Sequence, residues 1–123
     1  MRYLTDRKRA LGLGAAKTGT AHHWYMIVSA VALVFLVPAF VFIFGSALGS
    51  SHADVVATFS SPFAAIVAIL TIVVGMQHFS RGAQMMIEDY AQGLTRKVLV
   101  IVATCISYAA LAAGVYAVIR IAI

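Results

Sequence analysis

The feature that most constrains this chain is a set of three long apolar runs without a charged side chain. The first extends from Trp24 to Ala53, the second includes residues 64–74, and the third covers residues 98–119. About 20 apolar residues are enough for a helix to cross a bilayer. Charged residues make up 11% of the chain, and the mean hydropathy is +0.98. Because soluble domains are about a quarter charged, a normal soluble globule is excluded.

These runs predict an all-α membrane protein with three transmembrane helices, over about residues 24–48, 62–89 and 97–120. Continuous apolar runs disfavour a β-barrel, whose strands alternate apolar and polar residues. Pro38 lies inside the first run, where a proline kinks a membrane helix without ending it. Residues 49–54 predict a loop, and Pro62 after Ser61 is typical of a helix start. Residues 1–23 form a basic N-terminal arm ahead of a membrane domain of residues 24–123.

The distribution of lysine and arginine predicts the orientation of the three spans. The first loop has no basic residue, whereas the second loop carries Arg96 and Lys97. The N-terminal arm is basic through Arg2, Arg7, Lys8, Arg9 and Lys17. Since cytoplasmic segments are enriched in such residues, the N-terminus is predicted to be cytoplasmic and the C-terminus periplasmic. The net charge of +5 is thus a topology signal, and no basic patch with interleaved aromatics indicates nucleic acid.

His78 lies in the cytoplasmic half of the second span and is a candidate functional residue, because an ionisable side chain within a bilayer is costly. One interpretation is a histidine hydrogen-bonded to a neighbouring helix. The other is an axial ligand of haem iron through neutral imidazole. His22 and His23 precede the first span and His52 lies in the first loop, so none has a matching depth. A six-coordinate haem then requires a second subunit, and the roles of these three histidines stay open.

One face of the second helix combines His78 with small residues. Asp89 returns to nearly the same side because eleven residues at about 100° each complete three turns. Gly75, Gly82 and Met85 share that side. Glycines let either another helix or a flat cofactor approach the backbone closely. The sequence leaves both alternatives open.

The polar group at the end of the second span also has two interpretations. In the first, Glu88 and Asp89 are solvated and Tyr90 belongs to an interfacial aromatic belt. In the second, the Tyr90 phenol donates a hydrogen bond to a quinone carbonyl, and Asp89 holds the phenol or relays protons. Arg81 can neutralise a haem propionate or extend to lipid phosphate.

The motif His78, Gly82, Gln84 and Asp89–Tyr90 on the second of three spans resembles the hydrophobic membrane anchor subunit (D subunit) of succinate dehydrogenase, respiratory complex II. The glycine-rich arm at residues 12–24 is similar to that of α-proteobacterial members. Many such relatives carry an arginine early in the first helix, where this chain has none at residues 25–27. Arg81 is a candidate substitute for it.

The resemblance implies that His78 is one axial ligand of haem b and that a second hydrophobic anchor subunit, of cytochrome b type, supplies the other. It implies that Tyr90 hydrogen-bonds ubiquinone with Asp89 beside it. The implied partners are that second anchor, an iron–sulfur subunit, a flavoprotein subunit and membrane lipid. The implied location is the bacterial inner membrane.

The sequence therefore predicts an anchor and quinone-site subunit of succinate:ubiquinone oxidoreductase, in the respiratory chain and the tricarboxylic acid cycle. The chain has no flavin or iron–sulfur motif, so it is expected to perform no succinate chemistry itself. Fumarate reductase anchors are a close variant. The alternative is a non-redox helical protein, such as a transporter accessory or channel subunit, in which His78 is packed and Glu88 and Asp89 line a polar path.

Overall fold

The computed structural model describes residues 5–11 and 19–123, and its elements are helices. They are α1 (Asp6–Leu11), α2 (Gly19–Ala47), α3 (His52–Phe59), α4 (Pro62–Tyr90) and α5 (Gly93–Ala122). α2, α4 and α5 are each long and apolar enough to cross a membrane. At about 1.5 Å per residue, their 29 or 30 residues exceed the roughly 30 Å of hydrocarbon in a bilayer. The predicted all-α fold with three spanning helices is confirmed, while its orientation stays a prediction.

The local sequence accounts for where the long helices start and stop. α4 begins at Pro62 after Ser61, whose backbone is extended, as the proline pattern predicted. It ends at Tyr90, and Gly93, the first residue of α5, has a φ of 62°, a conformation that favours glycine. α2 continues through Pro38 to Ala47, although the proline removes one backbone donor.

Three boundaries differ from the prediction, and one of them is the start of α5, at Gly93 rather than near residue 97. The predicted loop at 49–54 is shorter, because α3 starts at His52. Ser51 caps this helix: its Oγ accepts the Asp54 backbone N–H at 3.3 Å and donates to the Asp54 carboxylate at 2.7 Å. α2 begins at Gly19, so the last residues of the predicted arm are already helical. The rest of that arm includes residues 1–4 and 12–18, which lie outside the described part.

α4 is the central helix of the bundle. It packs against α2 on one side and α5 on another, and α3 contacts all three at the end of the bundle that holds the first loop. Within the described residues, α2 and α5 do not pack directly against each other. The buried apolar cluster lies at the α3 end and consists of Ala47, Phe59, Ala64 and Ala68, bordered by Phe40, Ile43, Val55 and Val118. The small alanine side chains allow the helix backbones to approach closely there.

Most of the remaining surface is apolar and open. Phe35 and Phe42 on α2 are 72% and 81% exposed, for example. Such a surface would be unfavourable in water, whereas lipid tails are as apolar as these side chains and give no force to bury them. The chain is a multi-pass membrane protein, with one well-packed end and a more polar interior towards the other.

Candidate functional site

His78 on α4 lies opposite Ser29 on α2, and the two side chains form a hydrogen bond. The His78 Nδ1 and Ser29 Oγ atoms are 2.8 Å apart. Ser29 is buried, with 4% of its surface exposed, and its hydroxyl also lies 2.8 Å from the carbonyl oxygen of Tyr25. One nitrogen of the imidazole is therefore held by a neighbouring helix.

The same histidine also lines an apolar groove of about 530 Å³ on the outside of the bundle. The other lining residues all come from α2: Ala30, Leu33, Val34, Val37 and Pro38. Across the described residues, His78 Nε2 makes no hydrogen bond, and it is not one of the buried polar atoms that lack a partner. Nε2 is therefore accessible. A ligand entering this groove would meet the imidazole as the single ionisable side chain of its lining.

The glycines beside His78 face α2. A Cβ atom added to Gly75 would lie 3.9 Å from Leu33 Cδ2, and one added to Gly82 would lie 3.8 Å from Met26 Cε. These contacts lie about one turn on either side of the serine–histidine pair. Of the two alternatives for the glycine face, the structure favours contact with another helix.

Arg81 lies three residues after His78 and is held by an aromatic ring. Its guanidinium carbon is 3.8 Å from the centroid of the Tyr25 ring. The Tyr25 hydroxyl in turn donates to Gln77 Oε1 at 2.6 Å. Because three helical residues advance about 4.5 Å, a positive charge is fixed near the level of the imidazole.

A polar cavity of about 460 Å³ lies next to Arg81. Its polar lining comes from α4 and α5, through Gln77, Ser80, Arg81, Gln84, Thr104, Ser107 and Tyr108. α2 contributes His22, whose Nε2 is buried without a hydrogen-bond partner in the described part of the chain. Because an unpaired buried polar atom is costly, the cavity suits water or a polar ligand group.

Asp89 and Tyr90 form a separate group at the end of α4. Tyr90 is 88% exposed, Asp89 is also exposed, and no hydrogen bond joins the two within the described residues. Glu88 accepts a hydrogen bond from Gln84 Nε2 at 2.8 Å. Tyr90 follows His78 by twelve residues, which is about 18 Å along the helix. The structure thus places His78 and Arg81 less than one turn apart on α4, lining the groove and the polar cavity respectively, and leaves Tyr90 at the surface.

Sequence reasoning did not single out Ser29, Tyr25 or Gln77. A signal for Ser29 was present, because it is the single hydroxyl or amide side chain between Met26 and Phe44. A polar side chain in an apolar run needs a partner. Its pairing with His78 depends on how α2 and α4 align, which the sequence does not supply.

Comparisons with known proteins identify the family. A family model described as "Succinate dehydrogenase/Fumarate reductase transmembrane subunit" matches residues 1–119. The chain is 48% identical over 120 residues to a "Succinate dehydrogenase hydrophobic membrane anchor subunit" of Paracoccus denitrificans, covering 98% of this chain and 93% of that relative. No solved structure gives a significant match. With its three apolar helices, the chain is consistent with a multi-pass protein of the bacterial inner membrane. The chain therefore belongs to the family of succinate dehydrogenase/fumarate reductase transmembrane subunits.

Proposed function

We propose that this chain is the membrane anchor of a succinate:ubiquinone oxidoreductase, contributing an axial ligand to haem b and part of the ubiquinone-reduction site. The observation that carries the haem assignment is the environment of His78. Ser29 holds one ring nitrogen at 2.8 Å, while the other is accessible and the residue lines an apolar groove. Haem binding by histidine needs this combination of a fixed ring and a free nitrogen.

The residues present fit a haem group. The groove beside His78 is apolar, which suits a macrocycle, and the free nitrogen suits iron. Arg81 offers a positive charge for a propionate, less than one turn away along α4. His22 adds a buried nitrogen without a protein partner in the described region. When bound, the haem supplies a site that stores one electron.

The second axial ligand is expected from a second hydrophobic anchor subunit. The other histidines do not line the groove of His78: His23 lies near the start of α2, His52 starts α3, and His22 lines the separate polar cavity. An inter-subunit haem therefore explains why the groove is on the outside of the bundle.

Tyr90 and Asp89 are the proposed quinone-site residues. The exposed phenol of Tyr90 can donate a hydrogen bond to a quinone carbonyl, and this favours reduction because the oxygen gains negative charge. Asp89 can orient the phenol or pass on a proton. The exposure of both residues fits a pocket completed by other chains, namely the iron–sulfur subunit, with the flavoprotein subunit bound beyond it.

The alternative of a transporter accessory or channel subunit has weaker support. The observation that best supports this alternative is the polar cavity next to Arg81, but Glu88 does not line that cavity. Membership in the succinate dehydrogenase/fumarate reductase family favours the redox role.

The test is the reduced-minus-oxidised optical spectrum of the purified complex that contains this chain. We expect a b-type haem signal that His78→Ala abolishes or strongly alters, because an axial ligand is removed. His23→Ala and His52→Ala are the matched controls, since both residues are exposed, and should leave the spectrum unchanged. An unaltered haem spectrum in His78→Ala, with all subunits present, would exclude His78 as the ligand.

A further inference from the structure

We propose that Ser29 is a positioning residue for His78. By accepting a hydrogen bond from Nδ1–H, it selects the tautomer whose Nε2 lone pair is free, and it fixes the plane of the ring. The inference rests on the proposed role of His78 as a haem ligand. It extends that role to a residue of another helix, which the family motif on α4 does not contain.

The Ser29 hydroxyl can accept from His78 because its own proton is used within α2. A hydroxyl has one proton to donate and two lone pairs to accept with. Ser29 Oγ lies 2.8 Å from the carbonyl oxygen of Tyr25 and 3.1 Å from that of Met26, both in the preceding turn. Donation to the Tyr25 carbonyl uses the single proton. The Oγ atom then faces His78 Nδ1, at 2.8 Å, as an acceptor.

The hydrogen bond to Ser29 determines which ring nitrogen of His78 carries the proton. A neutral imidazole has one N–H group and one lone pair, so a proton on Nδ1 leaves Nε2 unprotonated. The reverse arrangement would leave an N–H on Nε2 without a hydrogen-bond partner beside an apolar groove. Unpaired donors in apolar surroundings are costly and rare. Ser29 therefore favours the tautomer that a metal requires.

The Ser29 hydroxyl is held in a fixed position opposite His78. Ser29 is almost fully buried, and its hydroxyl is tied to its own helix. α2 packs on α4, and Met26 lies close to Gly82 and Leu33 close to Gly75, on either side of the pair. The acceptor therefore cannot move away from the ring without a shift of the helices.

A hydrogen bond of this kind has two measurable effects on a bound haem. It makes the imidazole more electron-rich, which stabilises ferric iron, and it holds the ring orientation. Loss of the acceptor should raise the haem midpoint potential and change the ferric electron paramagnetic resonance signal. Haem should also leave faster, by about tenfold or more, as for other residues that support a metal ligand.

The experiment compares purified complexes carrying Ser29→Ala, Ser29→Thr and Thr71→Val. Thr71 is the control because its hydroxyl also donates within its own helix, to Val67 at 2.7 Å, and lies 3.5 Å from Leu36 of α2, without contacting His78. The readouts are the midpoint potential, the ferric resonance signal and the rate of haem transfer to apomyoglobin. We expect all three to change in Ser29→Ala and to stay near wild type in Ser29→Thr and Thr71→Val.

Wild-type values in Ser29→Ala would overturn the inference, as would equal changes in Thr71→Val or no recovery in Ser29→Thr. If Ser29→Ala prevents assembly, Ser29→Cys keeps a weaker acceptor of similar size and should give smaller changes in the same directions; wild-type values there would also overturn it. An unaltered haem spectrum in His78→Ala would instead contradict the proposed function. Loss of haem in His78→Ala together with an unchanged Ser29→Ala complex would reject the positioning role alone.

Discussion

A guanidinium within a membrane helix needs a favourable environment, and Arg81 obtains one from an aromatic ring. The Tyr25 ring lies 3.8 Å from it and is itself anchored through its hydroxyl to Gln77. A cation–π contact of this type contributes about 0.5–2 kcal/mol. The stacked arrangement holds the charge against the bundle, which supports the proposed propionate contact over extension to lipid phosphate.

At the residue scale, we predict that Tyr90→Phe lowers quinone reduction by the complex roughly two- to twelvefold, the range that corresponds to one hydrogen bond of about 0.5–1.5 kcal/mol. Succinate oxidation by an artificial dye should be retained, because that reaction does not use the phenol. Tyr116→Phe is the control, since Tyr116 is exposed on α5 and is not assigned to the site. Steady-state assays with ubiquinone and with dye test this, and equal quinone turnover in wild type and Tyr90→Phe would contradict the assigned role.

The sequence predicts a candidate residue where its side chain is energetically costly to place in a membrane. His78 and Arg81 stand out because ionisable groups are rare in lipid. Tyr25 and Ser29 could not be assigned, because tyrosine is ordinary near an interface and a serine can bond to its own helix. Their roles come from contacts between α2 and α4, which require the relative position of the two helices.

At the scale of elements, the long helices were predictable and the short one was not. The three spans follow from uninterrupted apolar sequence, and the start of α4 follows from Pro62. α3 has eight residues, too few for a clear helical period, and it begins with a His and Asp sequence that also suits a loop. Its helix is stabilised by the Ser51 cap and by burial of Phe59 against the ends of the long helices.

We predict that Gly114→Ala destabilises the packing of α5 on α4. A Cβ at this position would lie 3.2 Å from Ile72 Cγ2 and 3.3 Å from Ile72 Cδ1, which is closer than most Cβ contacts and requires the Ile72 side chain to shift. Overpacking of this kind costs about 1–3 kcal/mol. The measurement is the unfolding free energy of the complex in detergent during a denaturant titration.

Gly45→Ala is the control for the Gly114 prediction, because nothing lies within 4 Å of a Cβ added there. The double variant Gly114→Ala with Ile72→Ala should recover part of the loss caused by Gly114→Ala, since the crowded side chain is removed. Equal stability of Gly114→Ala and Gly45→Ala would show that α5 moves freely to accept the methyl group.

At the scale of the whole molecule, we predict that the turn before α3 faces the periplasm and the turn before α5 faces the cytoplasm. The charge distribution underlies this, with Arg96 and Lys97 next to the second turn. In a Cys105→Ser background, which removes the single native cysteine, Ser50→Cys should react with a membrane-impermeant maleimide on intact spheroplasts. Gln92→Cys should react with the maleimide only after the membrane has been permeabilised. The reverse labelling pattern would invert the topology and move Tyr90 away from the proposed iron–sulfur partner.

Because the buried cluster at the α3 end is small, a copy of the chain without partner subunits should be degraded readily in the cell. Few of the described side chains are enclosed by the chain itself, and His78 and Arg81 are half-buried, so the proposed partner subunits would complete their surroundings. A newly inserted copy without those neighbours presents polar groups to lipid and holds its helices together weakly. Surplus copies are therefore natural targets for membrane proteases, and the steady-state amount of this subunit should follow the supply of its partners rather than its own rate of translation.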